Sequence, residues 1–213
     1  LPAVYGHEAA GIVSKTGNAA TAFEIGDRVV VTLIKSCGNC NNCLEGNPTI
    51  CEANNNTMRP VLSSKGKTIQ QAMNCGAFAE KVVVDQSQIV KLNSDLSFAT
   101  ASLLACGVIT GIGAVVNAAK LRPGQDVIVI GAGGVGLNAI QGARIAGARR
   151  IVAVDTNKEK LVTAEQFGAT NSVLATEKSP WRISKSLIGR GADVVFVTVG
   201  SSAVYDVAPR YLG

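Results

Sequence analysis

The sequence predicts an α/β protein in two parts: a barrel-like all-β unit over residues 1–107, and over residues 108–213 a doubly wound parallel sheet with crossover helices. Three observations point there. The first hundred residues hold short Val- and Ile-rich runs bounded by Gly, Asn and Asp turns. After them, short apolar runs alternate with helical patterns about ten residues long, the signature of parallel strands joined by helices. Composition supports packed cores throughout, since 47% of the 213 residues are hydrophobic and only 16% charged, the reverse of a disordered chain.

In chain order, the candidate strands of the first unit are residues 9–13, 28–32, 79–84 and 89–92. Residues 37–51 show no hydrophobic periodicity and residues 54–64 form a polar loop, so neither stretch folds by burial alone. Ser97 is a helix cap ahead of an Ala- and Leu-containing helical segment that reaches residue 119. A turn at Leu121-Arg122-Pro123-Gly124 follows. Beyond it come a strand at 127–130, a helix at 137–146, a strand at 151–154, a helix at 158–167, a strand at 172–174, a helix at 181–188 and a strand at 194–199.

Several function classes are disfavoured. The uncharged run between Asp95 and Lys120 is long enough to cross a bilayer, but Gly107, Gly111, Gly113 and several Ser and Thr residues make it a buried core helix. No secretory leader is visible. The net charge of +5 resides entirely in residues 108–213, with twelve basic and seven acidic residues, whereas residues 1–107 carry eight of each. Those basic residues are spread along the segment and form no dense stripe, which argues for a small anionic ligand and against nucleic acid.

The strongest local motif is Cys37-Gly-Asn-Cys40-Asn-Asn-Cys43 with Cys51 following. Four thiolates this close in sequence can close a tetrahedral site around zinc. Disulfides, which need an oxidising compartment, and an iron–sulfur cluster remain open on spacing alone. With four ligands the coordination sphere is full, so such a zinc is structural.

The second motif is Gly131-Ala132-Gly133-Gly134-Val135-Gly136, which follows an apolar strand, opens a helix, and has Asp155 at the end of the next strand, 19 positions beyond its last glycine. In that context the glycines permit a tight turn and close approach of backbone N–H groups to a pyrophosphate. Asp155 then accepts from the adenosine ribose hydroxyls, which favours NAD over NADP. Arg149 and Arg150 lead into that strand and are not phosphate readers. A third set is dispersed: His7, the sole histidine, in Gly6-His7-Glu8, and Cys106 ahead of Gly107. Taken alone, a lone His is commonly structural and a buried Cys a small hydrophobe. Cys75 has no assigned partner and reads as a reduced thiol.

These residues resemble the zinc-dependent alcohol dehydrogenases of the medium-chain dehydrogenase/reductase superfamily. The matching segments are Gly6-His7-Glu8-Ala9-Ala10-Gly11, Gly26-Asp27-Arg28-Val29, the cysteine cluster, Leu103 through Cys106 to Thr110-Gly111, the glycine turn, and Asp155-Thr156-Asn157-Lys158-Glu159-Lys160, in family order along almost the whole chain. The resemblance implies a GroES-like β-barrel catalytic lobe over 1–107 without its beginning, and a Rossmann NAD-binding domain over 108–213 without its last strands. It implies two zincs per complete subunit, with His7 and Cys106 as ligands of a catalytic one and Glu8 behind that metal; the Cys2His ligand set is a known example for alcohol dehydrogenase. Thr110 and Val135 then line the nicotinamide side and Lys160 lies near the adenosine ribose. A third metal ligand and the start of a proton relay are expected ahead of Leu1, so residues 1–213 alone are expected to show little or no turnover.

What the resemblance further implies is hydride transfer between a primary or secondary alcohol, or its aldehyde or ketone, and NAD, in a cytoplasmic homo-oligomer, a dimer or tetramer, with no nucleic acid or membrane partner. Residues 56–73 resemble the insert of the classical and glutathione-dependent formaldehyde dehydrogenase branches, but Arg59 does not align with the glutathione-contacting arginine, so the substrate stays open. Two other readings stand beside this one: a medium-chain reductase homologue with structural zinc and NAD but no catalytic zinc, and a zinc-ribbon binding module. The latter is disfavoured because residues 37–51 contain no Lys or Arg to neutralise phosphates.

Overall fold

Residues 2–55, 62–93 and 95–213 are described by the computed structural model, and the chain divides into two units, Leu1–Cys106 and Gly107–Gly213. The first unit contains β1 (Ala3–Val4), β2 (Ala9–Ile12), β3 (Arg28–Val31), β4 (Leu62–Ser64), β5 (Lys67–Gln71) and β6 (Ile89–Lys91). They form two three-stranded sheets, ordered β1-β5-β4 and β2-β3-β6. In the second sheet β3 is central and antiparallel to both neighbours, with Ala9 opposite Val31 and Val31 opposite Ile89. Val29 and Val31 alternate inward and are buried, as expected for a strand covered on one face.

Residues 79–84 are not a strand, contrary to the sequence expectation. The Val83 carbonyl accepts from the Gln71 side chain (Nε2 to O, 2.7 Å), and no described strand pairs with the segment. It stays single and forms one wall of a cavity of about 850 Å³ that Gly11, Val13, Val29 and Phe98 also line. Between Cys37 and Cys51 the chain makes only α1 (Asn41–Leu44) and a 3-10 turn, Pro48–Ile50, in keeping with its lack of apolar periodicity. The expected 54–64 loop is corrected at its end, where Leu62–Ser64 form β4 paired with β5; residues 56–61, Arg59 included, lie outside the described residues.

The helical segment expected from Ser97 to residue 119 exists but is not continuous. Ser97 caps α2 (Phe98–Ser102), its Oγ accepting from the Thr100 N–H at 3.1 Å. A 3-10 turn, Leu103–Ala105, follows, and at Cys106 the backbone leaves helical geometry (φ −145°, ψ −67°) before α3 (Gly107–Gly113) and a π-helical turn, Ala114–Ala118. Among the described residues no single helix is long and apolar enough to cross a membrane.

The second unit holds β7 (Asp126–Ile130), β8 (Arg150–Asp155), β9 (Asn171–Leu174) and β10 (Val194–Val197), all parallel in the order β10-β7-β8-β9. Crossover helices α4 (Gly134–Ile145), α5 (Lys158–Phe167) and α6 (Pro180–Ile188) connect them, and α7 (Ser202–Val207) follows. Every residue of β7 is buried, as a parallel strand covered on both faces requires. Alternate residues serve opposite layers: Val127, Val129, Ile151 and Ala153 pack with Ile140 and Ala143 of α4, whereas Ile128, Ile130, Val152 and Val154 pack with Ile188 and Tyr211. Strand order reverses direction at β7, which sits between β8 and β10. The carboxyl end of a strand at such a reversal is where open α/β sheets bind ligands.

Candidate metal and cofactor sites

Because residues 37–51 lack an apolar face, their shape has to come from another source, and the thiols provide it. The Sγ atoms of Cys37, Cys40, Cys43 and Cys51 all lie within 4.8 Å of one another. Cys37 and Cys43 are 4.0 Å apart and Cys40 and Cys51 3.9 Å; tetrahedral zinc–thiolate bonds of about 2.3 Å require sulfurs about 3.8 Å apart. All six cysteines are free thiols, so the disulfide alternative is absent from the structure. Backbone N–H groups point at the sulfurs, Cys37 N to Cys51 Sγ at 3.3 Å and Cys40 N to Cys37 Sγ at 3.4 Å. The N–H groups of Cys43 and Glu52 draw the Cys40 thiol down to about 6, and that of Cys37 lowers Cys51, while burial pushes Cys43 up to about 11. The donor set and its spacing fit a closed four-sulfur metal site.

The chain neighbours of His7 and Cys106 meet at one end of the β2-β3-β6 sheet. Gly6 has φ +92°, and a Cβ there would lie 2.7 Å from the Phe78 backbone nitrogen; only glycine fits, and it delivers His7 two residues before Ala9 starts β2. Ala9 pairs with Val31 at the end of β3. The next residue, Thr32, donates its hydroxyl to the Ala105 carbonyl at 3.3 Å, which anchors the residue preceding Cys106. His7 and Cys106 are both half-buried, and Glu8 is exposed beside His7. An imidazole and a thiol are borderline-soft donors suited to zinc.

In the second unit the glycine turn joins the carboxyl end of β7 to the N-terminus of α4. Gly131 (φ +100°) and Gly136 are required by space: a Cβ on Gly136 would come within 1.8 Å of the Gly131 carbonyl oxygen. The Thr198 hydroxyl holds the turn, donating to the carbonyls of Ile130 (3.1 Å) and Gly131 (2.9 Å). Gly133 and Gly134 instead face open space, with no atom within 4 Å of a Cβ built there. Gly133 caps α4 without a side-chain acceptor for the first-turn N–H groups. Exposed donors at the positive end of a twelve-residue helix, next to a gap that side chains do not fill, fit a pyrophosphate.

Asp155 ends β8 beside this turn. It is buried, its Oδ2 accepting from Ala132 N at 2.7 Å and its Oδ1 from Asn157 N at 2.9 Å. Each oxygen retains a lone pair for a ligand hydroxyl. Val135 is half-buried in the first turn of α4, Thr110 lies exposed on α3, and Lys160 is exposed in the first turn of α5. Gly111 lets α3 approach α4 closely, since a Cβ would lie 2.5 Å from the Val135 carbonyl oxygen. Thr110 and Val135 are therefore on neighbouring helices.

Sequence reasoning left several participants out. Asp126, fully buried at the start of β7, is bonded by Arg149 (Nε to Oδ1, 2.9 Å) and Arg190 (Nε to Oδ2, 2.8 Å). Burial alone would raise this carboxyl, but the two guanidinium groups hold it below the usual carboxylate range. Arg149 is thus committed to a structural ion pair. Cys75, unassigned from sequence, is fully buried and pushed up to about 11 by burial. Its thiol donates to the Thr32 carbonyl at 3.3 Å. Thr198 and Thr32 had no motif to mark them.

A thiolate cage in one unit and a dinucleotide-type turn in the other define the class as zinc-binding dehydrogenases. Two family models agree: "Alcohol dehydrogenase GroES-like domain" matches residues 1–94 and "Zinc-binding dehydrogenase" matches residues 134–213. The chain belongs to the zinc-dependent alcohol dehydrogenase family of the medium-chain dehydrogenase/reductase superfamily. It is 35% identical to alcohol dehydrogenase 6 of Peromyscus maniculatus over 97% of its length, and 38% identical to an S-(hydroxymethyl)glutathione dehydrogenase of Synechocystis over 96%. Among solved structures it resembles an alcohol dehydrogenase zinc-binding domain protein from Burkholderia ambifaria, with 30% identity and a TM-score of 0.90, over 100% of this chain and 60% of that one. The chain spans 58% of the length of both curated relatives.

Proposed function

We propose that the protein carrying this chain is a zinc- and NAD-dependent oxidoreductase that interconverts a primary or secondary alcohol with its aldehyde or ketone. The observation that carries this reading is the open Gly133-Gly134 turn with Asp155 bonded to it, in a chain whose other unit gathers zinc-type donors. When bound, zinc supplies a Lewis acid that lowers the pKa of an alcohol hydroxyl, and NAD supplies the hydride-accepting carbon. The chain's own residues bind and orient. His7 and Cys106 contribute two donors to the catalytic metal, with Glu8 behind it, and Cys37, Cys40, Cys43 and Cys51 hold a second, structural zinc.

On the cofactor side, the N–H groups of the turn spanning Gly131, Gly133, Gly134 and Gly136 receive the pyrophosphate. Asp155 accepts from the adenosine ribose hydroxyls and repels a 2′-phosphate, selecting NAD over NADP. Lys160 lies near that ribose, and Thr110 and Val135 face the nicotinamide. Two of the relatives are named for an alcohol and an S-(hydroxymethyl)glutathione substrate, and a hydroxyl-bearing carbon is what the two names share. The reading extends to a cytoplasmic setting, where cage thiols stay reduced, and to a dimer or tetramer.

The test is NADH fluorescence of the natural full-length protein against a panel of primary and secondary alcohols. NAD-linked, chelator-sensitive oxidation of at least one of them is expected. Turnover that survives removal of all metal would contradict the zinc role and favour the reductase homologue without catalytic zinc.

A further inference from the structure

The peptide joining Gly131 to Ala132 is held at both ends by side chains. Its carbonyl, on Gly131, accepts from the Thr198 hydroxyl at 2.9 Å. Its N–H, on Ala132, donates to Asp155 Oδ2 at 2.7 Å. The two side chains arrive from opposite sides of β7, because its neighbours in the sheet are β8, which ends at Asp155, and β10, which Thr198 follows.

Thr198 is itself well seated. Val197 pairs with Ile130 at the end of the β7–β10 ladder, and the Thr198 N–H donates to the Ile130 carbonyl at 2.9 Å. Its hydroxyl lies 3.1 Å from that same carbonyl, so one O–H is shared between Ile130 and Gly131, with the shorter contact to Gly131. On the other side the Gly131 N–H donates to the Val154 carbonyl at 2.8 Å. Strand pairing thus fixes the chain as far as the Gly131 nitrogen, and the two side chains take over at the next peptide.

That peptide needs holding. Its C=O and N–H share one plane and turn together, and glycine on one side, at φ +100°, offers little steric resistance to the turn. Turning would take the N–H away from Asp155, a buried carboxylate. It would also move the carbonyl oxygen off Gly136, against which it packs so closely that a Cβ there has no room. Asp155 is the proposed ribose acceptor, and Gly136 lies in the first turn of α4, the proposed pyrophosphate seat.

We propose that Thr198 is a positioning residue for the dinucleotide: its hydroxyl clamps the Gly131–Ala132 peptide and, through it, sets the Asp155 carboxylate and the start of α4 before the cofactor arrives. The inference rests on the cofactor role proposed for the glycine turn and Asp155. Thr198 acts through these groups and not on the cofactor itself. A ligand that meets an already ordered site loses less binding free energy to ordering it.

The experiment titrates NADH by fluorescence into the natural full-length protein and its variants. Thr198→Val and Thr198→Ala lack the hydroxyl, and Thr198→Ser retains it. Thr170→Val is the structural control, since the Thr170 hydroxyl bonds the N–H and carbonyl of Ile151 at 3.0 and 3.1 Å, near the opposite end of β8 from Asp155. Expected is about 10-fold weaker NADH binding in the Val and Ala variants at position 198, the size of one lost hydrogen bond. Thr198→Ser is expected to bind like the unaltered protein, and Thr170→Val to bind NADH equally well even where its melting temperature falls. Should one hydroxyl-free variant at position 198 fail to fold, the other carries the comparison. Unchanged NADH affinity in the hydroxyl-free variants would overturn the proposal, and so would weakening of the same size in Thr198→Ser or in Thr170→Val. Failure of the underlying cofactor reading is seen separately, without touching Thr198: Gly133→Ala would then leave NADH affinity unaltered, and the positioning role would fall with it.

Discussion

The two units hold their shapes by different means. In Gly107–Gly213, two layers of buried aliphatic side chains enclose β7 and β8. In Leu1–Cys106 the buried apolar residues among those described are few, namely Val29, Val31, Cys51, Cys75, Ala101 and Ala105. Its order comes from directional contacts instead: the four-sulfur cage, the Gln88–Cys75–Thr32 network and the close fit of Gly6 against Phe78. Burial is summed over many side chains and tolerates the loss of one polar bond. Directional contacts are few, so each matters more, and the unit built from them is the one expected to respond to metal.

Metal removal is the largest way to break this contrast. Stripping zinc from the cage, or Cys40→Ser, is expected to remove binding free energy on the order of 10 kcal/mol. Amide hydrogen exchange is expected to show residues 37–51 losing protection while β7 and β8 keep theirs. Equal loss in both units would mean that the second does not stand on its own core.

Next in size is Gly136→Ala. Its Cβ would meet the Gly131 carbonyl, which is backbone and has no room to move aside. Destabilisation of about 3 kcal/mol follows from such overpacking, read as a melting temperature lower by roughly 6–12 °C. The metal content of the first unit is expected to stay unchanged.

Asp126→Asn is expected to cost about 2 kcal/mol at pH 7 by weakening two charge-assisted contacts. The sign of its pH dependence follows from the lowered carboxyl. Asp126 contributes its full stabilisation above the unfolded-state value of about 3.9 and loses it as pH falls through the lower folded value. Urea denaturation at a series of pH values is therefore expected to show the gap between variant and parent closing below about pH 4. A gap that widened in acid would contradict the ion pairing.

The smallest effect on stability is expected from Gly133→Ala, because a Cβ there meets nothing. The melting temperature barely moves, yet the methyl group fills the space where a pyrophosphate approaches, so NADH binding by fluorescence titration weakens about 10-fold. Set beside Gly136→Ala, this separates glycines that serve the fold from glycines that serve the ligand.

The same contrast governs how much was legible in the sequence. Apolar runs marked all four parallel strands of the second unit, because burial on both faces leaves a continuous signature. Ser97 and the cysteine spacing were equally readable, each being a local rule. Residues 79–84 misled, since Val-rich alternation states what could pair and not whether a partner is present. The break at Cys106 was hidden because an uncharged, Ala-rich segment reads as helix, whereas the tie that accompanies the break, Thr32 to Ala105, comes from 73 residues away. Thr198, Gln88 and Asp126 act through contacts of similarly long range, which periodicity does not encode. The shared site proposed for His7 and Cys106 rests on family resemblance and on the register of β2 on β3, which no local motif encodes.

The most direct test of the proposed chemistry is the zinc content of the natural full-length protein, measured together with its Cys106→Ser and Cys40→Ser variants. Two zincs per subunit are expected in the parent, one in Cys106→Ser with the cage intact, and a disrupted cage in Cys40→Ser. A single zinc in the parent that survives Cys106→Ser would contradict catalytic metal binding at His7 and Cys106.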